Sequence, residues 1–359
     1  MAGLEIQRRI RKALVGFDPY DPAFSPCAIN LSANENTHPL PSEVEEALRE
    51  AMTSTPLNRY PDPLANELRD ELAEWHNVHR ANVMVGNGGD EILFNLLFAL
   101  GGQGRSLVVC PPCFEEYKNF AKMCETAVVE VWRNEDDYSL DEVALVEAAR
   151  SADLVMLTSP NNPTGDLVDP CLVRRLLEQT DALILLDEAY VEFAHADASL
   201  VGWVREHPRL MVLRTLSKAF GLAGLRCGYL IAAPEVVDVL AAIRQIYSED
   251  VLAQSVATVA VRERAALHGI VEDIVSERER LVSGLEDLPG VTWWSSEANF
   301  ILVRMRGAAK VRARLRDEFS ILVRDFSYAR GLSDCLRISV GTREENDRLL
   351  EALRIILVG

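Results

Sequence analysis

Lysine is scarce in this chain. Of 37 basic residues only five are lysines: Lys12, Lys118, Lys122, Lys218 and Lys310. Positive charge as a whole is outweighed by 55 acidic residues, leaving a formal net charge of -18. That balance excludes nucleic-acid binding as the main task, because affinity for a phosphate backbone comes from clustered positive charge. Long apolar runs are missing as well. None approaches the length that spans a bilayer, so no membrane partner is expected. Internal repeats and low-complexity linkers are also absent from the sequence. With 48% hydrophobic residues over 359 positions there is material for one large domain and a smaller one.

A second cysteine pair is lacking too. The seven cysteines (Cys27, Cys110, Cys113, Cys124, Cys171, Cys227 and Cys335) are odd in number and scattered, which reads as reduced thiols in a cytoplasmic protein. Cys110 and Cys113 form "CPPC", but with no partner pair neither a zinc site nor a redox site is expected. "HNVH" (His76, His79) has no completing ligand and reads as a solvated helix end. No metal is therefore expected. The opening "MAGLEIQRRIRKALVGF" is basic and amphipathic without an apolar h-region, which predicts a short helix or arm.

What is present from residue 82 onward is alternation. "NVMV", "SLVV", "AVVEVW", "LVMLT", "LILL", "LMVLRTL" and "CGYLIAA" are short runs, apolar throughout, with helical patterns between several of them. Such strands predict an α/β fold with a mainly parallel sheet covered by helices on both faces. Ligands of such sheets bind beyond the carboxyl ends of the strands. Each unusual polar cluster sits where a strand runs out: Gly-Asn-Gly-Gly-Asp after "NVMV", Ser-Pro-Asn-Asn-Pro-Thr-Gly after "LVMLT", Asp-Glu-Ala-Tyr after "LILL", and Ser-Lys after "LMVLRTL". After about residue 255 the pattern changes to a long helical region followed by "VTWWSSEANFILVRM", "SILVRDF" and "CLRISVG". The expected division is an arm and part of the small domain in 1–45, a large domain in 46–255, and a small α+β domain in 256–359.

Lys218 lies in "TLSKAFGLAGLR", a stretch too apolar for a surface helix. A lysine taken out of water loses hydration, its pKa falls, and its amine becomes a usable nucleophile.

Nine segments in order, "GFDPYDPA", "LSANEN", "NRYPDP", "GNGGDEIL", "SPNNPTG", "DEAYVEF", "TLSKAFGLAGLRCGYL", "EANFILVR" and "LRISVGT", resemble the fold-type I, pyridoxal-phosphate-dependent aminotransferases. The resemblance covers nearly the whole chain and is closest to the histidinol-phosphate aminotransferase group. It implies pyridoxal 5'-phosphate as cofactor, bound covalently through Lys218. It implies a phosphate cup of Gly89 and Asp90 in the turn opening a helix, Ser217, and the guanidinium fork of Arg226. Tyr60 resembles the tyrosine that reaches the phosphate of the neighbouring subunit, which implies a homodimer. Asp187 matches the carboxylate that keeps the ring nitrogen protonated. Tyr190 and Asn162 match the pair on the ring hydroxyl, and Tyr117 the aromatic stacked on the ring face. Arg337 matches the fork for the substrate α-carboxylate. Arg324 and Tyr20 match residues near the substrate side chain and its phosphate, and Asn34 lines the same pocket.

Two stretches depart from the group: "NENTHPLPS", and "IYSEDVLAQ", which puts Glu249 and Asp250 near the pocket mouth. Facing inward, two carboxylates would repel a phosphorylated substrate; facing outward they would do nothing. The activity expected is transamination between L-histidinol phosphate and 2-oxoglutarate in histidine biosynthesis. An aromatic-amino-acid aminotransferase and a phosphothreonine decarboxylase use the same scaffold. A pyridoxal-phosphate-binding regulator would need a separate DNA-binding domain and a basic patch, which this sequence lacks.

Overall fold

The computed structural model describes residues 8–17 and 25–358. Seven strands form the larger sheet: β2 (Val83–Asn87), β3 (Ser106–Val109), β4 (Ala127–Glu130), β5 (Leu154–Thr158), β6 (Leu183–Asp187), β7 (Leu210–Thr215) and β8 (Cys227–Ile231). Their order is β2-β8-β7-β6-β5-β3-β4. Only β8 runs against its neighbours; the β3–β4, β3–β5, β5–β6 and β6–β7 pairs are parallel. Every residue of β5, β7 and β8 is buried, as expected for strands covered on both faces, whereas edge strand β4 is largely exposed. One apolar cluster covers each face.

The smaller sheet has the order β1-β11-β12-β10-β9: β1 (Ile29–Leu31), β9 (Val291–Trp293), β10 (Phe300–Met305), β11 (Ile321–Asp325) and β12 (Cys335–Ser339). β1 pairs in parallel with β11, so the chain contributes to the small sheet before it enters the large one.

The expected boundary at 255 is displaced. The helix Val251–Arg262 packs on the helices Ser42–Ser54 and Asn66–His76 of the large domain. In the next helix, His268–Glu286, Ile270 and Ile274 belong to the large-domain core, while Leu281 and Leu285 belong to the small one. The division falls inside this helix because its apolar stripe changes partner midway.

"HNVH" is not a solvated helix end. His79 is exposed, but His76 is half-buried, its Nε2 lies 2.9 Å from the Tyr229 hydroxyl, and its ring stacks on Trp75. Burial, with Arg214 nearby, pushes the imidazole down to about 2, so it stays neutral.

Beneath β6 and β7 lies a buried ion pair. Arg214 Nη1 stands 2.9 Å from Glu188 Oε2, and Arg214 Nη2 stands 3.0 Å from Glu192 Oε1. Glu188 also accepts from Ser199 Oγ and the Leu200 amide. Removing Glu188 leaves the buried Arg214 paired with Glu192 alone and takes the acceptor from the donors around it. Glu188→Ala should therefore destabilise the ligand-free protein by about 3–5 kcal/mol. Urea unfolding followed by circular dichroism should show a lower midpoint, and an unchanged midpoint would contradict the assignment.

Candidate active site

The strand ends of the large sheet converge as the polar clusters require. β7 ends at Thr215 and leads through Ser217 to Lys218. The lysine is half-buried, with Nζ donating to the Ala33 carbonyl at 3.1 Å and lying 5.7 Å from the Tyr190 ring centre. Burial first, then Arg337, pushes the amine down to about 8; Glu35 opposes the shift and Arg226 adds to it. A substantial fraction is therefore neutral at mildly alkaline pH, as a nucleophilic amine requires.

Asp187 closes β6 and is buried. Its carboxylate accepts from the Tyr117 hydroxyl at 2.6 Å and from the Ala189 amide at 3.1 Å. Burial raises its carboxyl to about 6 against these two donors. A buried carboxylate so placed fits a cationic N–H partner. Tyr190 is also buried; its hydroxyl accepts from Asn34 Nδ2 at 3.1 Å and from Asn162 Nδ2 at 3.4 Å.

The turn after β2 has the form of an anion cup. Gly88 takes φ +75°, and the helix Gly88–Leu100 begins there. A Cβ at Gly88 would lie 2.5 Å from Arg226 Nη2, and one at Gly228 would lie 2.7 Å from the backbone of Gly88 and Gly89. Glycine permits this close approach, and the first amides of the helix point at whatever anion binds. Ser217 Oγ accepts from Thr215 Oγ1 at 3.0 Å. Arg226 Nη2 stands 2.9 Å from Asp90 Oδ2, so the aspartate side chain holds the arginine. A phosphate-bearing cofactor fits this cup, with Lys218 and Asp187 placed for the rest of it.

The small domain faces this edge. Arg324 and Arg337 are cross-strand partners on β11 and β12. Their guanidinium carbons lie 5.9 Å and 5.5 Å from the centre of one ring, Phe326. Arg337 donates to Asn162 Oδ1 and to the Ser32 carbonyl, each at 2.6 Å. Asn34, at φ +54°, is buried and also bonds Ser339 on β12. Tyr20 lies outside the described residues. Tyr60 is 81% exposed and stacks on Tyr247, with ring centres 4.6 Å apart.

Two expectations change. Tyr117 was expected to offer a ring face, yet it is fully buried and its hydroxyl is engaged with Asp187 and Thr158. The partly open aromatic beside it is Phe114, edge-on to Tyr117 at 5.4 Å. Sequence reasoning missed it because the two rings are close in sequence, while Phe114 precedes the helix Glu116–Met123 and Tyr117 lies inside it, facing the core. Asp250 caps the helix Val251–Arg262 by accepting from the Ala253 amide. Glu249 faces neither the mouth nor the solvent. It is 1% exposed, and the donor beside its carboxyl is the Cys227 thiol, a weak one.

Cys110 and Cys113 are free thiols that burial pushes up to about 12, which disfavours the thiolate that redox or metal chemistry needs. Among the described residues no group of three or more His, Cys, Asp and Glu side chains could hold a metal.

Burial also pushes Glu249 up to about 8, despite the Cys227 thiol and Arg244 nearby and with Glu91 and Asp250 adding to the rise. An acid raised in the folded state stabilises it below its unfolded pKa, and that contribution is lost as pH rises through the folded value. Glu249→Gln should therefore match wild type near pH 4 and be more stable near pH 9. Urea midpoints of the ligand-free protein at the two pH values measure this; a constant difference would contradict it.

Comparison with known proteins agrees with the geometry. Residues 27–353 match the family described as aminotransferase class I and II. A histidinol-phosphate aminotransferase of Caldanaerobacter subterraneus subsp. tengcongensis is 37% identical over 353 residues, covering 98% of this chain and 99% of the relative. Among solved structures, histidinol-phosphate aminotransferase from Sinorhizobium meliloti, in complex with pyridoxal-5'-phosphate, superposes with a TM-score of 0.87 at 26% identity, covering 97% of this chain and 98% of that one. L-threonine-O-3-phosphate decarboxylase from Porphyromonas gingivalis superposes with a TM-score of 0.82 at 26% identity, covering 92% and 100%. With the family's pattern running through almost the whole length and an amine, an acid and an anion cup meeting at one sheet edge, this chain belongs to the class I and II aminotransferases.

Proposed function

We propose that the protein transfers an amino group between L-histidinol phosphate and 2-oxoglutarate, with pyridoxal 5'-phosphate as cofactor. The observation that carries this reading is the pair Arg324 and Arg337, adjacent across two strands and resting on one aromatic ring beside Lys218. Two neighbouring guanidinium groups repel each other, and a phosphate or carboxylate between them relieves that repulsion while accepting several charge-assisted hydrogen bonds. Burial of Glu249 favours the same reading, since its carboxylate then does not oppose an anionic substrate. The name of the relative at 37% identity supports the substrate further.

The bound cofactor would supply the electron sink that stabilises negative charge on the substrate α-carbon. Lys218 would anchor it and later carry the proton to and from that carbon. Asp187 would hold the proton on the ring nitrogen, and Tyr117 would fix the Asp187 carboxylate by its hydroxyl. Tyr190 and Asn162 would meet the ring oxygen, and Phe114 would cover a ring face. The Gly89 amide, Ser217 and Arg226 would take the phosphate, with Asp90 orienting the arginine. In the glutamate half-reaction Arg337 would grip a carboxylate. In the other half-reaction Arg324 and Tyr20 would grip the substrate phosphate, with Asn34 on the pocket wall. Tyr60, Leu57, Ile246 and Tyr247 leave an aromatic and aliphatic patch on the surface. That patch fits a homodimer in which Tyr60 reaches the partner's phosphate cup. Free thiols fit a cytoplasmic location.

Purified protein with added cofactor should absorb visible light, and Lys218→Ala should lose the covalently attached form. A colourless wild type would overturn the reading at its root. Arg324→Ala should lower kcat/KM for histidinol phosphate on the order of a hundredfold, as expected when one partner of a close charge pair is truncated. Phenylalanine should be affected far less. Equal losses would remove Arg324 from the phosphate role.

A further inference from the structure

The loop between β4 and the helix Glu142–Ala149 contains Tyr138, a large-domain residue that inserts into the small domain. Tyr138 is 1% exposed and adopts φ +60°, a region that a non-glycine residue occupies only when its surroundings hold it there. Its hydroxyl donates to the Gly331 carbonyl at 3.0 Å and accepts from Arg304 Nη2 at 2.9 Å. Cys335 Sγ lies 3.8 Å from the same oxygen, and the ring packs on Trp294 with centres 4.9 Å apart. Trp294 Nε1 in turn donates to the Asp136 carbonyl of the loop.

On the large-domain side the loop is anchored by Arg133. That buried guanidinium donates to the Tyr138 carbonyl and to Cys110 O, and pairs with Asp166 at 2.6 Å. Asp166 belongs to the turn that carries Asn162, the acceptor of Arg337. On the small-domain side Tyr138 packs with Leu302, Leu332 and Cys335, and this cluster extends to Phe326. Phe326 is the ring on which Arg324 and Arg337 both rest, and Cys335 begins the strand that bears Arg337.

We propose that Tyr138 is a positioning residue for substrate recognition: it pins the connection between β11 and β12 onto the large domain and so sets where Arg324 and Arg337 stand. This rests on the reading of those arginines as the anion-binding pair. The hydroxyl is the specific element, because it bonds the backbone of that connection and the guanidinium of Arg304 at once. Packing alone would allow the connection to slide against the ring.

The test is Tyr138→Phe in the holoenzyme, which keeps the ring and removes the hydroxyl. Succinate, a dicarboxylate without an amino group, serves as probe, its binding read from the change in visible absorption. Loss of this bonded unit should raise the succinate Kd and the KM for glutamate and for 2-oxoglutarate roughly two- to tenfold, with kcat and cofactor content near wild type. Arg304→Met should give the same pattern, and the double variant should be no worse than the poorer single one if the two side chains act as a unit. Unchanged succinate affinity and KM would overturn the proposal. So would loss of cofactor in the same proportion, or fully additive effects in the double variant. Failure of the wild type to accept histidinol phosphate would sink the substrate reading only, because succinate and glutamate test the arginine pair without it.

Discussion

The structure depends on keeping one amine out of water where two sheets meet. Lys218 follows a strand of the large sheet, yet the charge that most lowers its pKa after burial is Arg337, on the small sheet. Arg337 reaches back to Asn162 in the large domain and to Ser32 next to β1. The relative placement of the two sheets therefore sets both the reactivity of the lysine and the position of the anion fork. If the sheets separated, the amine would rehydrate and its pKa would rise at the same moment that the fork moved away. The pKa of the amine and the placement of the two guanidinium groups are thus geometrically coupled, although they belong to different sheets.

Two buried acids show how the same desolvation leads to opposite charge states. Asp187 and Glu249 are both raised by burial. Asp187 has the Tyr117 hydroxyl and the Ala189 amide as donors, which hold it to about 6, so it is mostly ionised at neutral pH. Glu249 has only the Cys227 thiol, a weak donor, beside its carboxyl, stands at about 8, and is mostly neutral at the same pH. An ionised Asp187 suits a cationic N–H partner, whereas a neutral Glu249 leaves its apolar site uncharged. The difference arises from the donors that each carboxylate finds, not from its depth.

The large-domain architecture was legible because strands covered on both faces must be apolar along their whole length, and their polar residues then collect at the ends. Asp187, Lys218 and the Gly88–Gly89 turn are visible in that way. Glu249 was not, since an acid in a polar loop normally faces water and nothing local marks the apolar site it enters. The exchange between Phe114 and Tyr117 hinges on a register of three residues at a helix start, which periodicity does not resolve in so short an element. The domain boundary hides within the helix His268–Glu286 because one apolar stripe serves two cores in succession.

Tyr138 marks the limit of local reading. "NEDDYS" has the composition of a solvated turn, and its tyrosine finds partners 166, 193 and 197 residues away. No motif contains them, because each partner sits in a stretch whose own pattern is already explained by its strand or turn. Yet a two-sheet enzyme needs such contacts. The ladder hydrogen bonds within each sheet fix its own strands and say nothing about the other sheet. That relation falls to side chains that cross between them, among them Asn34 to Tyr190, Arg337 to Asn162, and Tyr138 to Gly331 and Arg304. The first two lie within the motif segments. In the third, Tyr138 lies outside them and joins the loop before the helix Glu142–Ala149 to the connection between β11 and β12.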